Sequence, residues 1–311
     1  MKELGENTWE ITPLDVELPR RDREAHKGCF GRIVILAGAV GYTGAPVLAA
    51  QGALSSGAGL VRVLVPDSIY SVVASHLVCA MPYPLRSDVS DIGAAMSVNS
   101  IGAVTAGLAK GVLDKSAIRP ALEQMEHADV ALVGPGLTRE KEPAQVCRRL
   151  TKELRCPLVL DADGINALSG HIDVLDSRRD RLTVLTPHRR EFIRLGVELE
   201  GVDQVQAARD FALEHGCVLV LKGHRTVTAL PDGRCFVNTT GNPGMATGGS
   251  GDVLAGMICS FLGQGLPPEQ AVPWAVCLHG QAGDLAAEEQ GEYGMTPLDL
   301  VTKIPLTLKR F

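Results

Sequence analysis

The sequence predicts an α/β protein of three layers (α/β/α), in which a mainly parallel central sheet lies between two layers of helices. Short apolar runs without polar alternation, bounded by turn residues, are typical of strands that are buried on both faces. Stretches of helical length separate most of these runs, and strand alternating with helix favours a parallel sheet. The chain of 311 residues is 45% hydrophobic and shows no linker, repeat or low-complexity tract, so we expect a single domain over residues 1–311.

The predicted strands are, in chain order, "RIVILAG", "LVRVLVP", "DVALVGPG", "PLVLDADG", "RLTVLTPH" and "CVLVLKG". The clearest helices cover residues 43–56 and 142–154, followed later by "DVLAGMICSFLG" and "EQAVPWAVCLHGQAGDLAAEE". The last of these is apolar nearly all round, which favours burial or an oligomer contact over a catalytic role for His279. In the C-terminal half, "RTVTALPDGRCFVNTT" has a DG turn between two strand-like runs and predicts a hairpin.

Charge and cysteine content argue against several classes of function. The formal net charge is −6 and Lys and Arg do not cluster, which argues against nucleic acid as a partner, because phosphate contacts need clustered cations. The eight cysteines form no C-x-x-C pair, so neither a zinc knuckle nor a redox motif is indicated, and we expect buried reduced thiols. No signal-peptide core or bilayer-length apolar span is present, which predicts a cytoplasmic enzyme without a membrane partner.

Five of the apolar runs end in residues with special backbone freedom or chemistry. The segments at these ends are "AGAVGYTGA", "GPGLT", "DADGIN", "TPHRREF" and "KGHRT". In an open parallel sheet the carboxyl ends of the strands converge on one edge, and ligands bind there. We therefore expect the five segments to line one cleft.

A glycine-rich stretch, "TTGNPGMATGGSGDVLAG", runs directly into one of the predicted helices. Glycines allow positive φ and a close backbone approach to a ligand, while the first N–H groups of a helix have no intrahelical partner. Together with the positive end of the helix dipole, Gly248, Gly249, Ser250 and Gly251 therefore predict an anion hole suited to a phosphoryl group. The stretch matches neither common nucleotide fingerprint, G-x-x-x-x-G-K-[ST] nor G-x-G-x-x-G.

Asp252 stands at the join between the glycines and the helix. A carboxylate in an anion hole repels phosphate, which is a poor arrangement for passive binding. It suits a base that removes a proton from a hydroxyl as that hydroxyl attacks phosphorus. Asp is also a good residue for capping a helix, and the stretch alone leaves both roles open.

The stretch "NTTGNPGMATGGSGDVLAG" resembles the C-terminal signature of the NAD(P)H-hydrate dehydratases, which have the ribokinase-like fold. Further segments similar to that family follow its order: "HKGCFGRIVILAG", "GAGLVRVLVP", "VGPGLT", "LDADGINAL", "LTPHRREF" and "VLVLKGHRTV". The resemblance covers residues 27–311 and leaves residues 1–26 as an N-terminal extension. Many relatives carry an additional epimerase domain, for which this chain has no room, so the expectation is a stand-alone dehydratase that works with a separate epimerase.

The resemblance also implies site residues. Asp252 matches the acid of the family's GG[ST]GD motif and contacts the substrate, and Gly251 lies against the nucleotide phosphates. The "KGHRT" segment matches the part that holds the adenosine nucleotide, namely Lys222, Gly223, His224, Arg225 and Thr226. Ala45, Gly136 and His188 match positions that contact the hydrated dinucleotide. One departure follows His188, where this chain has Arg189-Arg190-Glu191 and relatives often have a glycine.

The implied reaction is the ADP-dependent dehydration of (6S)-NADH or (6S)-NADPH hydrate, which yields NAD(P)H, AMP and phosphate. The resemblance also implies Mg²⁺, a homotetramer, and ADP as the co-substrate with ATP as an alternative.

Several residues keep two interpretations each. Asp161 and Asp163 could hold a cation, or one of them could cap a helix or orient a loop. Asn166 could face the cleft or bond within its loop. Asn238 and Asn242 could bind substrate or brace the glycine loop.

The segment His26-Lys27-Gly28 before the first predicted strand is expected to close one end of the cleft.

Two other functions compete with the dehydratase. A hydroxymethylpyrimidine or hydroxyethylthiazole kinase of the same fold would share the glycine loop and the acid. A nucleotide sensor without activity would share the fold, but it would have no need of a base in its anion hole.

Overall fold

The computed structural model describes residues 1–89 and 110–311. Within these ranges the strands join into one sheet, ordered β1-β2-β11-β10-β9-β8-β7-β6-β3-β4-β5. The strands are β1 (Lys2–Gly5), β2 (Thr8–Ile11), β3 (Arg32–Leu36), β4 (Leu60–Pro66), β5 (Met81–Leu85), β6 (Val130–Val133), β7 (Leu158–Leu160), β8 (Thr183–Leu185), β9 (Val218–Leu221), β10 (Val227–Ala229) and β11 (Cys235–Asn238). All six predicted runs are therefore strands of this sheet.

The described helices are α1 (Gly44–Ser55), α2 (Tyr70–His76), α3 (Ile118–Met125), α4 (Lys141–Glu153), α5 (Asp163–Asn166), α6 (Asp173–Asp176), α7 (Arg189–Arg194), α8 (Gln204–His215), α9 (Ser250–Gly263), α10 (Pro268–Gln290) and α11 (Pro297–Leu308). The four helices predicted from the sequence are α1, α4, α9 and α10, and each lies within two residues of its expected bounds. No helix in the described ranges is long and apolar enough to cross a membrane.

In the part of the sheet ordered β9-β8-β7-β6-β3-β4-β5, all neighbouring strands run parallel. The predicted alternation of strand and helix requires this arrangement. Strand β10 runs antiparallel to both β9 and β11. Its pairing with β11 confirms the hairpin around the DG turn, with Val227 opposite Val237 and Ala229 opposite Cys235. The sheet is therefore mainly parallel, with a hairpin in its C-terminal half.

Helices cover both faces of the sheet and divide the core in two. Ile33 and Ile35 of β3 point into one core, which α1, α9 and α10 complete. Val34 and Leu36 of the same strand point into the other, which α3, α4 and α8 complete. Since successive strand residues face opposite sides, continuous apolar strands fill both cores, and the predicted three layers are confirmed.

The sheet extends further at both edges than the sequence suggests. Residues 1–26, treated above as an extension, contain β1 and β2, and β2 pairs in parallel with β11. At the other edge lies β5, whose sequence "MPYPL" holds two prolines and so does not resemble a strand. Proline cannot donate to a sheet ladder and is tolerated at edges, which explains why this strand was missed.

The expectation that several cysteines are buried is confirmed. All eight are free, and five of them are buried. Burial raises the pKa of Cys147 and of Cys217 to about 12, so these two thiols stay protonated at neutral pH.

Candidate active site

The five strand-end segments meet at the carboxyl edge of the sheet, as predicted. The N–H of Gly38, after β3, donates to the carbonyl of Pro135, after β6, at 2.8 Å. The N–H of Lys222, after β9, donates to the carbonyl of Pro187, after β8, also at 2.8 Å. These backbone bonds connect loops that are far apart in sequence, so the chemistry-bearing residues share one edge.

Ala45 and Gly136, both expected to contact the hydrated dinucleotide, are neighbours in the structure. Gly136 has φ +64°, and a Cβ added there would lie 3.0 Å from the Cβ of Ala45 and 2.9 Å from that of Tyr42. The position therefore needs glycine both for its backbone conformation and for the close approach of α1. Tyr42, whose side chain is exposed at this edge, was not predicted as a site residue.

The glycine loop delivers the N-terminus of α9 to the same edge. Gly249 caps the helix with φ +106°, a conformation that favours glycine. Within the described ranges, the N–H groups of Gly251 and Asp252 make no hydrogen bond, and the buried hydroxyl of Ser250 has no partner. Unpaired donors at a helix N-terminus suit an anion, which supports the predicted anion hole.

Asp252 lies in the first turn of α9, where it is partly buried. Burial raises the pKa of this carboxyl to about 7, repulsion from Asp161 adds to the rise, and Lys222 opposes it. Among the described residues, the Asp252 carboxylate accepts no hydrogen bond from the N–H groups at the start of α9, so this side chain does not cap the helix. A carboxylate that titrates near neutral pH beside an anion hole can accept a proton from a hydroxyl.

Lys222 reaches the anion hole from the end of β9. Its Nζ donates to Oδ1 of Asp161 at 2.7 Å, and a Cβ added at Gly251 would lie 3.1 Å from the same Nζ. Burial alone would lower the pKa of Lys222, but Asp161 and Glu191 outweigh it and raise that pKa. The ammonium therefore remains charged next to the first turn of α9.

His188 begins α7 and is fixed by its own backbone. Its Nδ1 accepts from the N–H of Arg190 at 3.0 Å and from that of Glu191 at 3.3 Å, while Glu191 accepts the N–H of His188 at 2.8 Å. This reciprocal capping box leaves the imidazole 48% exposed at the carboxyl edge. Helix α7 therefore has a regular start with Arg190 at the position where the resemblance led us to expect a glycine.

The "KGHRT" segment forms a tight turn between β9 and β10. The hydroxyl of Thr226 donates to the carbonyl of Gly223 at 3.0 Å and accepts that residue's N–H at 3.3 Å. Arg225 has φ +57° and forms an ion pair with Glu10 at 3.0 Å, whereas His224 is exposed. Apart from Lys222, these side chains shape the turn or face solvent.

Asp163 and Asn166 orient a loop. The carboxylate of Asp163 accepts the N–H of Thr138 at 2.8 Å and the amide of Asn166 at 3.1 Å. Asn166 in turn accepts from Arg194 at 3.0 Å. Asp161, by contrast, accepts from Lys222, so the two acids of "DADG" have separate partners. The loop-orienting alternative is thus the one that the structure favours for Asp163.

Asparagines and an unpredicted acid brace the glycine loop. Asn238 bonds to the backbone and hydroxyl of Thr240. Asn242 donates to Asp284 at 3.1 Å, and Asp284 also accepts the N–H of Gly241 at 2.9 Å. Asp284 lies on α10, 43 positions after Gly241, and no local pattern in the sequence indicates this contact.

The position expected for His26-Lys27-Gly28 is wrong. This segment precedes β3 and adjoins Gly31, where a Cβ would lie 2.6 Å from the backbone of Gly263. Gly263 ends α9, and a helix of 14 residues is about 21 Å long. The segment therefore lies at the far end of α9 from Asp252, because residues that precede a parallel strand belong to the opposite edge of the sheet.

No grouping of three or more His, Cys, Asp or Glu side chains with the geometry of a metal site occurs in residues 1–89 and 110–311. The described side chains therefore do not fit a metal ion held by protein ligands alone.

The fold and the site together define a class of protein. The protein has three layers, α/β/α, and the carboxyl edge of its sheet carries a glycine loop, a helix N-terminus, a lysine and an acid. This combination is typical of phosphoryl-transfer proteins with the ribokinase-like fold. A family model described as NAD(P)H-hydrate dehydratase matches residues 33–306. The chain belongs to that family.

Similar proteins of known sequence support this family membership. A protein of Moorella thermoacetica named bifunctional NAD(P)H-hydrate repair enzyme is 40% identical over 94% of this chain and 52% of its own length. The chain thus spans about half the length of such bifunctional relatives. A protein of Bacillus subtilis named ADP-dependent (S)-NAD(P)H-hydrate dehydratase is 32% identical over 97% of this chain and 98% of its own length.

Solved structures confirm the fold. A ribokinase-like superfamily protein of Enterococcus faecalis has a TM-score of 0.80 at 26% identity and covers 100% of this chain and 98% of its own. The B. subtilis ADP/ATP-dependent NAD(P)H-hydrate dehydratase, co-crystallized with ATP and Mg²⁺, has a TM-score of 0.73 at 31% identity, with 94% of each chain covered. The family whose model matches is thus the one that the sequence resembles.

Proposed function

We propose that this chain catalyses the ADP-dependent dehydration of (6S)-NADH and (6S)-NADPH hydrate and so repairs damaged nicotinamide nucleotides. The observation that carries this proposal is the Asp252 carboxylate in the first turn of α9, next to the Lys222 ammonium and to N–H donors that have no partner among the described residues. Its pKa of about 7 leaves a large share ionised at neutral pH. Family membership supports a hydrated nicotinamide as the substrate.

The reaction would begin with phosphoryl transfer. Asp252 takes the proton of the C6 hydroxyl as the hydroxyl oxygen attacks the terminal phosphorus of ADP, and the bond from that phosphorus to the bridging oxygen breaks to release AMP. The N–H groups of the anion hole and the Lys222 ammonium stabilise negative charge on the transferring group, since preorganised donors act strongly in a partly dry site.

Elimination would follow without a further enzyme nucleophile. The lone pair of the ring nitrogen expels phosphate from C6, and the neighbouring carbon C5 loses a proton, which restores the ring double bond. The products are NAD(P)H, AMP, phosphate and a proton. A kinase of the same fold would stop at a stable phosphate ester. Here the ring nitrogen of the phosphorylated substrate expels the phosphate.

Ala45, Gly136 and His188 are proposed to contact the hydrate, and residues 222–226 to hold the nucleotide. Mg²⁺ is a predicted cofactor that would enter with the nucleotide phosphates, and no step above depends on it. Assembly as a homotetramer, a cytoplasmic location, ADP rather than ATP as the preferred nucleotide and a functional link to a separate epimerase are further predictions.

The test is an activity matrix. Purified protein is incubated with NADH hydrate or NADPH hydrate and with ADP, ATP or no nucleotide, and the absorbance of the reduced nicotinamide is followed. Nucleotide-dependent recovery of that absorbance, with AMP formed from ADP, is the expected result. No recovery with either nucleotide, together with stable phosphorylation of a pyrimidine or thiazole alcohol, would make the chain a kinase.

A further inference from the structure

A buried ion pair joins three neighbouring strand ends beneath the anion hole. Asp161 follows β7 and is almost completely buried, and its Oδ1 accepts from the Nζ of Lys222, which follows β9, at 2.7 Å. Between them lies β8, whose following residue Thr186 donates its hydroxyl to the same oxygen at 2.6 Å. A buried carboxylate is stable only when it is paired and hydrogen-bonded, so the three side chains form one unit.

The free part of the ammonium faces the first turn of α9. An ammonium has three donors, and among the described residues the Nζ of Lys222 bonds only to Asp161. A Cβ at Gly251 would lie 3.1 Å from that Nζ, so no side chain could stand between them without displacing the lysine. Two of the three donors are therefore available to a ligand beside the first turn of α9.

We propose that Asp161 is a positioning residue, which fixes the Lys222 ammonium in front of the N-terminus of α9 so that it binds the phosphates of the nucleotide. This inference rests on the proposed function for the identity of the ligand. Lysine has a flexible four-carbon stem and loses much rotamer freedom when it binds a ligand. The ion pair with Asp161 already restricts the rotamers of Lys222 before the nucleotide binds. Less conformational entropy is therefore lost on binding, which increases the affinity.

The pair also acts on the proposed base. Charges that face Asp252 are those of Asp161, Lys222, Asp163 and Glu191, and the negative charge of Asp161 has the largest effect among them. Removing that charge while keeping the side-chain shape lowers the pKa of Asp252. The rate of any reaction that needs ionised Asp252 then reaches its plateau at a lower pH.

Helices α1 and α10, which pack against α9, add little charge near Asp252. Helix α1, which packs against α9, has no ionisable side chain in its sequence "GAPVLAAQGALS". On α10, the pKa of His279 is lowered to about 4, so the imidazole is neutral at the pH of the assay, and Asp284 is bonded to the glycine loop.

The experiment is a double-mutant cycle on nucleotide binding. ADP affinity is measured by calorimetry for the wild type, Asp161→Asn, Lys222→Met and the double variant, and ATP is used in the same way. We expect Asp161→Asn and Lys222→Met each to weaken binding by about tenfold or more. We expect Asp161→Asn to cost nothing further when Lys222 is already absent, because Asp161 acts through the lysine.

The second readout is the pH dependence of dehydration. The acid limb of kcat/KM is expected to move to lower pH in Asp161→Asn. Asp232→Asn is the control, because it disrupts an exposed ion pair with Arg234 at 2.7 Å in the hairpin turn and should change neither readout. Equal losses of affinity from Asp161→Asn in the presence and absence of Lys222, or an unmoved acid limb, would overturn the proposal.

Two safeguards keep the outcomes separate. If Asp161→Asn does not fold, Thr186→Val removes the hydroxyl that holds the same carboxylate oxygen and should weaken ADP binding to a smaller extent. If the wild type dehydrates neither hydrate, the proposed function fails, while the binding cycle still decides the role of Asp161.

Discussion

His279 donates from Nε2 to the carbonyl oxygen of Ser250 at 2.9 Å and so ties α10 to the first turn of α9. The imidazole is buried, and burial is the main reason why its pKa is lowered to about 4. A neutral ring with its proton on Nε2 is what the carbonyl acceptor requires. The predicted burial of His279 is therefore confirmed, and its contact helps to fix the turn that carries Asp252.

Burial of neutral His279 should make the protein sensitive to acid. An unfolded histidine has a pKa near its ordinary value, so between that pH and about 4 the unfolded state binds the additional proton. The free energy of unfolding is expected to fall as the pH is lowered from about 6.5 to about 4. In His279→Gln, thermal unfolding between these limits should depend less on pH, and an unchanged pH dependence would contradict the assignment.

Asp252→Asn should abolish catalysis and spare binding. The amide keeps the size of the side chain but cannot accept the proton of the hydroxyl, and general-base catalysis contributes about 10²- to 10⁴-fold. We expect turnover of NADH hydrate to fall by that factor, while calorimetry shows ADP affinity within a few-fold of the wild type. Asp180→Asn, which changes an exposed acid, is the matched control. Near-normal turnover in Asp252→Asn would exclude it as the base.

The same substitution should stabilise the protein at alkaline pH. The folded pKa of Asp252 is about 7, above the ordinary value of 3.8, so the folded state binds more protons between these limits and stability falls as the pH rises through them. Asp252→Asn removes this cost of burying a charge. Its melting temperature should exceed that of the wild type by several degrees at pH 8, and the difference should shrink toward pH 4. A constant difference over that range would argue against the raised pKa.

The sequence predicts the edge of the sheet that carries the site better than the contacts within the site. Continuous apolar runs ending in glycine, acid or lysine predict parallel strands, and parallel strands must share a carboxyl edge. The capping box of His188 and Glu191 could also have been found, since a cap followed by Glu three positions later is a local pattern. The prediction for His26-Lys27-Gly28 was wrong because it ignored the same rule. Residues that precede a parallel strand lie at the opposite edge of the sheet from residues that follow it.

Contacts between distant segments could not be predicted. Lys222 and Asp161 are 61 positions apart, and their pairing depends on β8 lying between β7 and β9 in the sheet. Asp284 reaches Gly241 only because α10 passes behind the glycine loop. Both contacts depend on the order of strands and the path of a helix in three dimensions, which residue patterns along the chain do not encode.

Gly136→Ala should weaken binding of the hydrate more than binding of the nucleotide. A Cβ at this position would meet the Cβ atoms of Tyr42 and Ala45 at 2.9 and 3.0 Å, and φ is +64°, so the loop must move away from α1. Gly170→Ala is the matched control, because Gly170 has a similar φ of +71° with nothing within 4 Å. Both variants share the backbone strain, and only Gly136→Ala displaces the proposed substrate contact. We expect KM for NADPH hydrate to rise about tenfold in Gly136→Ala alone, as a displacement of about 1 Å is costly. Equal KM values in the two variants would show that strain, and not contact with the substrate, accounts for the glycine.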